Sequence, residues 1–426
     1  MKNKTGKVKI IMKKILVIGG GAGGIMAAAA AAENGAEVTI WEKNDRLGRK
    51  LAITGKGRCN ITNACPVDDI IKNLTGNGRF MYSALNTFSN EDTMAFFEKI
   101  GVPLKVERGQ RVFPVSDKAS DVVKALEKEL RRLNVKIEYN HAAVRLLTEG
   151  GCIKGACCSQ GAFDFDSVIL ATGGCTYKAT GSTGDGYALM KEVGHSITPI
   201  LPSLVPLVSP EPWVGDLTGL SLKNSKIELY NQKGKKLAKD FGEMLFTHFG
   251  LSGPCILSIS DTAAAYWLRK PNEELLIKID LKPALSPEQL DARIQRDFNK
   301  YIRKIFANSL GDLLPKSLIP VVIKLSEIES ETPVNQITKE QRQRLTGLLK
   351  EFPVKVSGTR PLNEGIVTAG GINIKEINPK TFESKIINGL YAVGEVLNVH
   401  GFTGGYNLQA AFSSGYTAGI SAAEEY

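Results

Sequence analysis

The sequence predicts an α/β fold in which one parallel sheet is assembled from separated parts of the chain. Three observations support this prediction. Short apolar runs lead into glycines near residues 18, 171 and 393, as is typical of buried parallel strands. An alanine-rich stretch of helical length follows the first run. The long middle of the chain has a different pattern, with short β-like runs followed by amphipathic helices.

The first strand is predicted at Lys14–Ile18, and a GxGxxG turn follows it directly. The first glycine of such a turn permits the tight bend, the second lets a diphosphate approach the backbone, and the third lets the helix pack on the strand. The helix predicted over residues 25–34, closed by Gly35, would point N–H groups and its positive dipole end at phosphates. The candidate phosphate-binding residues are Gly19, Gly21, Ala22, Gly23 and Gly24.

A second strand is predicted at Val38–Trp41, and it ends at Glu42, 18 residues after Gly24. A carboxylate at this spacing accepts hydrogen bonds from ribose hydroxyls and repels a 2′-phosphate. Strand, glycine turn, helix, second strand and acid in this order predict a Rossmann-like dinucleotide-binding unit, and the acid disfavours NADP at this position.

Residues 43–63 are predicted to form a loop rich in glycine and arginine, where an NAD dehydrogenase would have its next crossover helix. Such a loop suits an extended diphosphate and the ribityl chain beyond it, so it favours FAD. Its basic residues would neutralise phosphate charge. The candidate cofactor-binding residues of this loop are Lys43, Arg49, Lys50, Arg58 and Asn60.

Two later strands, predicted at Ser167–Ala171 and over residues 389–395, also end in glycine. The small-residue helix predicted over residues 409–423 would place its N-terminus where it stabilises negative charge on a reduced flavin. Three strand ends of this kind suit one long cofactor that crosses the edge of a sheet, which again favours FAD. The further candidate contacts are Val144, Ala171, Thr172, Gly173, Gly394, Glu395, Gly405, Tyr406 and Asn407.

The composition is that of a globular protein with a basic surplus. The 426 residues carry a formal net charge of +10, and residues 1–150 hold 25 Lys or Arg against 16 Asp or Glu. A cationic surface can attract an anionic partner such as RNA, although a basic surface without such a partner is equally compatible with these counts. The seven cysteines are scattered and form no CxxC pair, which predicts a reducing cytoplasm and no metal site.

The first residues resemble a signal peptide only superficially. Glycines interrupt the apolar segment and no cleavage site follows it, so residues 1–12 are interpreted as a basic tail or Met12 as the start. No apolar run approaches the length of a membrane span.

The motifs as a set resemble the BaiN/RdsA-like family of NAD(P)/FAD-dependent oxidoreductases, which includes the aminoacetone oxidase type. Lys56 departs from the family pattern, in which a glycine is commoner at that position. The matching stretches are VIGGGAGG (17–24), RLGRKLAITGKGRCNITN (46–63), RVFPVSDKASDVV (111–123), ILATGG (169–174), LFTHFGLSGP (245–254), TAGGI (368–372) and GLYAVGEVLNVHGFTGGYNLQAAFSSG (389–415).

This resemblance implies a Rossmann-like FAD-binding domain that is discontinuous in sequence. We expect residues 1–194 and 352–426 to form it, and residues 195–351 to form an insert. The insert is expected to be β-rich over residues 195–284 and helical over residues 285–351.

Three residues are candidates for catalysis: Cys59 in the glycine- and arginine-rich loop, and His248 and His400 in the family-like stretches. No second GxGxxG is present, so NAD(P)H is expected to visit the flavin only transiently. The resemblance implies a reductase of a C=C bond, with uridine in ribosomal RNA as one substrate and a small molecule as the other option. Two alternatives stay open: an oxidase of small amines, and a flavin-binding sensor without turnover.

Overall fold

The computed structural model describes residues 12–424. Residues 1–11, interpreted above as most of a basic tail, lie outside the described part of the chain. The described residues form two compact units. The first unit extends to Leu201 and resumes at Val367, and the second unit is Pro202–Ile366.

The strands and helices are named here in chain order. The strands are β1 (Lys14–Ile18), β2 (Glu37–Glu42), β3 (Thr62–Asn63), β4 (Leu104–Glu107), β5 (Arg111–Pro114), β6 (Lys136–Tyr139), β7 (Arg145–Glu149), β8 (Cys152–Cys158), β9 (Gly161–Asp164), β10 (Ser167–Leu170), β11 (Ile197–Ser203), β12 (Leu207–Val208), β13 (Ser221–Tyr230), β14 (Lys236–Thr247), β15 (Gly250–Ser252), β16 (Leu275–Asp280), β17 (Phe352–Val356), β18 (Gly358–Thr359), β19 (Val367–Ile372) and β20 (Leu390–Ala392). The helices are α1 (Ala22–Glu33), α2 (Arg49–Gly57), α3 (Val67–Asn73), α4 (Tyr82–Thr87), α5 (Asn90–Lys99), α6 (Ala119–Arg132), α7 (Asp185–Glu192), α8 (Trp213–Asp216), α9 (Pro254–Arg269), α10 (Pro287–Lys300), α11 (Ile319–Ser326), α12 (Lys339–Lys350) and α13 (Tyr406–Ala423).

The first unit is built on a five-stranded parallel sheet in the order β20-β10-β1-β2-β6. Residues 15–18 of β1 are all buried, as expected for a central strand covered on both faces. Helix α1 is apolar on every side and packs along α13, which is also rich in small residues. The parallel sheet with covering helices confirms the predicted α/β class.

Two small antiparallel sheets complete much of the first unit. One joins β3, β5 and β4, and the other joins β7, β8 and β9. Helix α6 packs against α2 and α1, and it buries Val122, Leu126 and Leu130, which are spaced four residues apart.

The second unit contains a seven-stranded antiparallel sheet in the order β17-β16-β13-β14-β15-β12-β18. Its strands alternate between buried and more exposed residues, as β16 shows with Leu275, Ile277 and Ile279 in the core. Helix α9 packs on β14, and α12 packs on β16 and β17. The predicted sequence of β-like runs followed by amphipathic helices is therefore present within this unit.

Two features differ from the expectations. The loop expected over residues 43–63 contains α2, whose backbone leaves the helical conformation at Thr54, Gly55 and Lys56. Leu51 explains the helical turn, because it is buried in the core while the charged residues beside it are more exposed. The domain boundaries also lie elsewhere: β17, in the part assigned to the FAD-binding domain, pairs with β16 of the second unit, whereas residues 195–201 belong to the first unit.

Candidate functional site

Three strand ends meet at one edge of the parallel sheet, as the sequence predicts. Because β20, β10 and β1 are adjacent, parallel and in register, Ile18 lies beside Leu170, and Leu170 beside Ala392. Each strand leads into a glycine-containing turn, and the N–H of Ala171 donates to the oxygen of Ile18 at 2.8 Å. This edge is the usual ligand site of open α/β sheets.

In the turn after β1, Gly19 and Gly24 have no room for a side chain, whereas Gly21 faces open space that a ligand could occupy. Gly19 has a φ of +108°, and a Cβ at that position would lie 2.5 Å from the carbonyl oxygen of Ala171. A Cβ at Gly24 would collide with the carbonyl oxygen of Gly19. At Gly21, by contrast, a Cβ would meet no atom within 4 Å, so the backbone there faces open space.

Both helices that start near this edge lack a capping side chain. The residues before them, Gly21 for α1 and Gly405 for α13, cannot cap, and neither first turn contains an acidic residue. The first N–H groups of each helix therefore lack intrahelical partners, and the dipole adds positive potential there. This arrangement favours a bound anion.

Glu42 is buried at the end of β2 and shapes the glycine turn. One carboxylate oxygen accepts from the N–H of Gly20 at 2.8 Å, and the other accepts from the backbone and side-chain nitrogens of Asn44 at 2.8 and 2.6 Å. These three bonds leave one of about four acceptor positions of the carboxylate for a sugar hydroxyl. Arg49 extends the chain of contacts, since its guanidinium donates to Asn44 at 2.7 Å.

The two candidate cofactor-binding lysines form ion pairs within the first unit. Lys43 contacts Asp185 at 2.6 Å, and Lys50 contacts Glu395 at 2.6 Å. Glu395 also accepts from the N–H of Thr368 at 2.9 Å and lies 3.3 Å from the Thr176 hydroxyl. The candidates Lys50 and Glu395 are thus brought together, although they are far apart in sequence.

The structure gives Arg58 partners other than phosphate. Its guanidinium contacts the carboxylates of Glu107 and Asp117 and lies 4.1 Å from the centroid of the Phe113 ring. The hydrogen bonds that Arg58 donates to these two carboxylates raise its pKa. Its charge is balanced by protein carboxylates, so we do not retain Arg58 as a phosphate ligand.

Cys59 does not have the properties of a redox or acid residue. The thiol is fully buried, and burial raises its pKa to about 12. A reactive cysteine needs solvent access and a lowered pKa, and Cys59 has neither.

The neighbouring Asn60 amide lies 3.0 Å from the N–H of Gly405 and 3.1 Å from the oxygen of Thr62, at the junction of β3 and α13.

The two candidate histidines lie in different units. His400 is buried in the first unit, with its ring packed on Gly76 and its backbone oxygen accepting from the Gly76 N–H at 3.0 Å. His248 is exposed in the second unit, in the turn between β14 and β15. Both assignments to the substrate pocket stay predictions.

Residues around the start of α13 form a rigid turn. The Asn407 side chain closes it, accepting from the N–H of Gly401 at 2.8 Å and donating to the oxygens of Gly401 and Phe402. The ring of Tyr406 packs against Gly404. Asn407 therefore holds the turn before α13 in place. Its contact with a cofactor stays a prediction.

An unpartnered hydroxyl supports a bound group at this edge. Thr172 follows β10, and its Oγ1 is buried without a hydrogen-bond partner among residues 12–424. Such groups are rare in folded proteins, and an external ligand is one way to satisfy them. Gly173 follows with a φ of +74°. Val144, by contrast, has an exposed side chain and a backbone N–H that donates to the oxygen of Cys157, and its contact with a cofactor stays a prediction.

Three residues that were not predicted from the sequence also contribute to this site. Gly20 fixes Glu42 through its N–H, Asn44 holds both Glu42 and Arg49, and Thr176 lies beside Lys50 at 3.0 Å. Gly20 lies inside the glycine run and Asn44 lies two residues after Glu42, so both could have been predicted from their closeness to the motif in sequence. Thr176 gave no signal of this kind.

The structure shows no metal site and no membrane-spanning helix among the described residues. Among residues 12–424, no group of three or more His, Cys, Asp or Glu side chains could hold a metal ion. No helix within that range combines the length and apolar character needed to cross a membrane.

The fold and the site define an FAD-dependent oxidoreductase with a Rossmann-type nucleotide-binding domain. Comparison with known families makes this more specific: the chain belongs to the HI0933-like protein Rossmann domain family, which matches residues 13–421. This membership confirms the resemblance to the BaiN/RdsA-like oxidoreductases.

Individual relatives cover nearly the whole chain. The 3-dehydro-bile acid delta(4,6)-reductase of Clostridium scindens is 35% identical over 394 residues, covering 92% of this chain and 94% of the relative. The ribosomal RNA dihydrouridine synthase of Haemophilus influenzae is 30% identical, covering 91% of this chain and 92% of the relative. In fold, the chain is similar to the 3-ketosteroid-delta4-(5alpha)-dehydrogenase of Rhodococcus jostii, with a TM-score of 0.51, 17% identity and coverage of 100% and 99%.

Proposed function

We propose that the protein reduces a C=C bond conjugated to a carbonyl group, with NAD(P)H as the electron donor. The observation that carries this proposal is that two relatives with different substrates are named for the same bond change. One is a delta(4,6)-reductase of a bile acid, at 35% identity, and the other forms dihydrouridine, at 30% identity. A shared bond change with different substrates indicates shared chemistry at the flavin.

The described residues fit FAD. The open backbone at Gly21 and the uncapped start of α1 would hold the diphosphate, and the remaining acceptor position of Glu42 would hold the ribose. The Thr172 hydroxyl, which has no partner among the described residues, would supply a further hydrogen bond. Lys50 and Glu395 lie at the same sheet edge. FAD, when bound, supplies the two-electron carrier of the reaction.

The chain's own contribution to chemistry is orientation and charge. The uncapped start of α13 would stabilise negative charge near the flavin, and the Asn407 side chain keeps that helix start in place. Overall, NAD(P)H supplies a hydride and becomes NAD(P)⁺. The hydride adds to the carbon β to the carbonyl, a proton adds to the α carbon, and the π bond is lost.

We further propose that the substrate is a small conjugated ketone. The higher identity of the bile-acid reductase favours a small conjugated ketone over RNA. The basic surplus of residues 1–150 is the observation that favours RNA, because cationic surfaces collect phosphate without sequence preference. The following experiment distinguishes the small ketone from RNA as the substrate.

The experiment uses the flavin-loaded protein without oxygen. NADH or NADPH is added while the visible absorption band of the oxidised flavin is recorded. The reduced protein is then mixed with 4-androstene-3,17-dione or with a uridine-containing RNA oligonucleotide. Bleaching by NAD(P)H followed by rapid return of the band with the ketone, and a ketone product that has gained two hydrogens, is the expected result.

The other outcomes differ in what they reject, which is either the ketone as the substrate or the reductase activity itself. Return of the band only with RNA would identify a uridine reductase. Bleaching by aminoacetone without NAD(P)H would identify an amine oxidase. A flavin that neither donor bleaches would indicate a sensor.

A further inference from the structure

The loop after β10, which covers residues 171–184 and leads into α7, is tied to the predicted cofactor edge of the parallel sheet. The amino group of Lys50 donates to the Thr176 hydroxyl at 3.0 Å. The side chain of Asn44, next to the end of β2, donates to the carbonyl oxygen of Thr180 at 3.3 Å. All of these residues belong to the first unit, so the loop has a defined position at this edge.

Tyr177 of this loop combines a strained backbone with an exposed ring. Its φ and ψ are 54° and 51°, a left-handed conformation that bulky residues rarely adopt, and the N–H and hydroxyl of Thr180 hold it by donating to the Tyr177 oxygen. Within residues 12–424, Phe382 is the other aromatic residue with a left-handed φ, and its ring is buried in the core. The Tyr177 side chain is 39% exposed, so no burial offsets its strain. Strain of this kind is typical of residues that are held in place for a function.

Two lysines accompany the Tyr177 ring. The amino group of Lys50 lies 5.8 Å from the ring centroid and pairs with Glu395, which follows β20, at 2.6 Å. Lys178 is next in sequence and exposed, and it forms no ion pair with the part of the chain that the structure describes. An accessible aromatic face and an accessible cation therefore lie together beside the cofactor edge. A planar ring that carries phosphate groups matches this pair, because aromatic faces stack and lysine binds phosphate.

We propose that Tyr177 and Lys178 bind the nicotinamide dinucleotide that donates the electrons, with the nicotinamide ring stacked on Tyr177 and a phosphate on Lys178. This inference rests on the proposed function. The donor arrives from solution, gives a hydride to the flavin and leaves as NAD(P)⁺, so its site has to be open to solvent and next to the cofactor edge. The sequence contains no second GxGxxG turn, and one aromatic ring with one lysine suits a donor that binds transiently.

The test compares the flavin-loaded wild-type protein with Tyr177→Gly, Tyr177→Phe and Lys178→Met. One control is Tyr82→Gly, because Tyr82 is an exposed tyrosine of the same unit with a helical φ of −53°. The other is Lys191→Met, at an exposed lysine of α7. Four quantities are measured: binding of NADP⁺ and NAD⁺ by equilibrium dialysis, the rate of anaerobic flavin bleaching at rising NADPH or NADH concentration, the FAD affinity of the apoprotein, and the temperature of thermal unfolding.

For Tyr177→Gly, we expect nucleotide binding to weaken about tenfold, because the stacking surface is lost. The same variant should unfold about 2 °C higher, because glycine adopts the left-handed conformation without strain. Tyr177→Phe should recover the binding, since stacking needs the ring and not the hydroxyl. Lys178→Met should weaken binding about fivefold. Half-saturation of flavin bleaching should shift by the same factors, with FAD affinity unchanged.

The controls should behave in the opposite way. Tyr82→Gly should unfold at a lower temperature, because glycine is unfavourable in a helix, and should bind NADP⁺ and NAD⁺ like the wild type. Lys191→Met should match the wild type in nucleotide binding and in flavin bleaching.

Failure of this inference and failure of the proposed function give different results. Equal nucleotide binding by wild type and Tyr177→Gly, or no binding by either, would overturn the role of Tyr177. Weaker FAD binding by Tyr177→Gly would do the same, because it would place the ring on the flavin and not on the donor. Nucleotide binding that depends on Tyr177 without any bleaching of the flavin would support this inference and reject the proposed reductase activity. Bleaching that is equal in all variants, followed by reduction of the ketone, would reject this inference alone.

Discussion

At the scale of single residues, the last residues of α2 and those just after it concentrate unusual backbone conformations. Lys56 and Cys59 have φ angles of 60° and 61°, and the glycines on either side of Lys56 are also left-handed. At Cys59, complete burial of the side chain in the core offsets the cost of the left-handed conformation. Lys56 is exposed, so no burial offsets this cost there. This explains in physical terms why the resemblance favours glycine at position 56.

Replacing Lys56 by glycine should stabilise the protein. A left-handed conformation costs a residue with a Cβ about 1–2 kcal/mol, and glycine avoids this while adding some unfolded-state entropy. We expect the free energy of unfolding of Lys56→Gly to rise by about 0.5–1 kcal/mol in urea denaturation. The comparison is Lys128→Gly in the middle of α6, which should lose about 1 kcal/mol. A loss at both positions would show that Lys56 is not strained.

Glu42 offers a test of the cofactor assignment. In Glu42→Gln, one acceptor oxygen becomes an NH₂ group that faces donors from Gly20 or Asn44, and the charge that would bind the ribose is lost. We expect FAD affinity, measured by titration of the apoprotein, to fall about 10- to 100-fold. Glu37→Gln, an exposed position on the same strand, should bind FAD like the wild type. Unchanged affinity in Glu42→Gln would remove Glu42 from the site.

Residue contacts also show where prediction from sequence stops. The place of Glu42 at the end of β2 could be predicted because strand, glycine turn, helix and acid follow one another within residues 14–42. Its contact with a ribose stays a prediction. The partners of Arg58, which are Glu107 and Asp117, lie 49 and 59 residues away in sequence. The local sequence shows only the positive charge of Arg58, which suggested a phosphate partner. The fold instead brings two carboxylates to it.

At the scale of elements, the close contact of α1 and α13 supports the site. Gly415 of α13 lies so near the backbone of Gly23 that a Cβ would collide with the Gly23 carbonyl oxygen. The same carbonyl belongs to the first turn of α1, next to the proposed diphosphate position. Packing between these helices and the geometry of the turn are therefore coupled.

The variant Gly415→Ala should separate the two helices. We expect a loss of about 1–3 kcal/mol in the free energy of unfolding, as in other overpacked cores, together with weaker FAD binding. The matched change Gly347→Ala, at an exposed helical position of α12 with nothing within 4 Å, should stabilise by about 0.5–1 kcal/mol. Both are followed by thermal unfolding with and without FAD. Equal effects of the two variants would mean that the α1–α13 contact is not tight.

Elements with strong local patterns were predictable, and those set by distant pairing were not. The apolar runs of β1, β10 and β20 gave their positions and their common edge. Helix α2 was missed because the glycines at positions 55 and 57 and the many charges resemble a loop, while Leu51 alone marks the buried side.

At the scale of the whole molecule, the two units have separate hydrophobic cores. The core of the first unit centres on the parallel sheet, and that of the second unit on the antiparallel sheet and α9 to α12. The insert was foreseeable from the change of pattern. Its end was not, because β17 and β18 resemble any short strands, and only their pairing with β16 and β12 shows that they belong to the second unit.

Separate cores predict that the units respond differently to FAD. The candidate dinucleotide-binding residues, from Gly19 to Asn407, all belong to the first unit. A ligand that binds only the folded state stabilises the unit that binds it, by about 2.7 kcal/mol at a free concentration of 100 times Kd. In calorimetry of the apoprotein we expect two transitions, and FAD should raise the temperature of only one. Hydrogen exchange identifies the unit: amides of β1 and β10 should gain protection, whereas those of β13 and β16 should not. A single transition that shifts as a whole would show that the two cores unfold together.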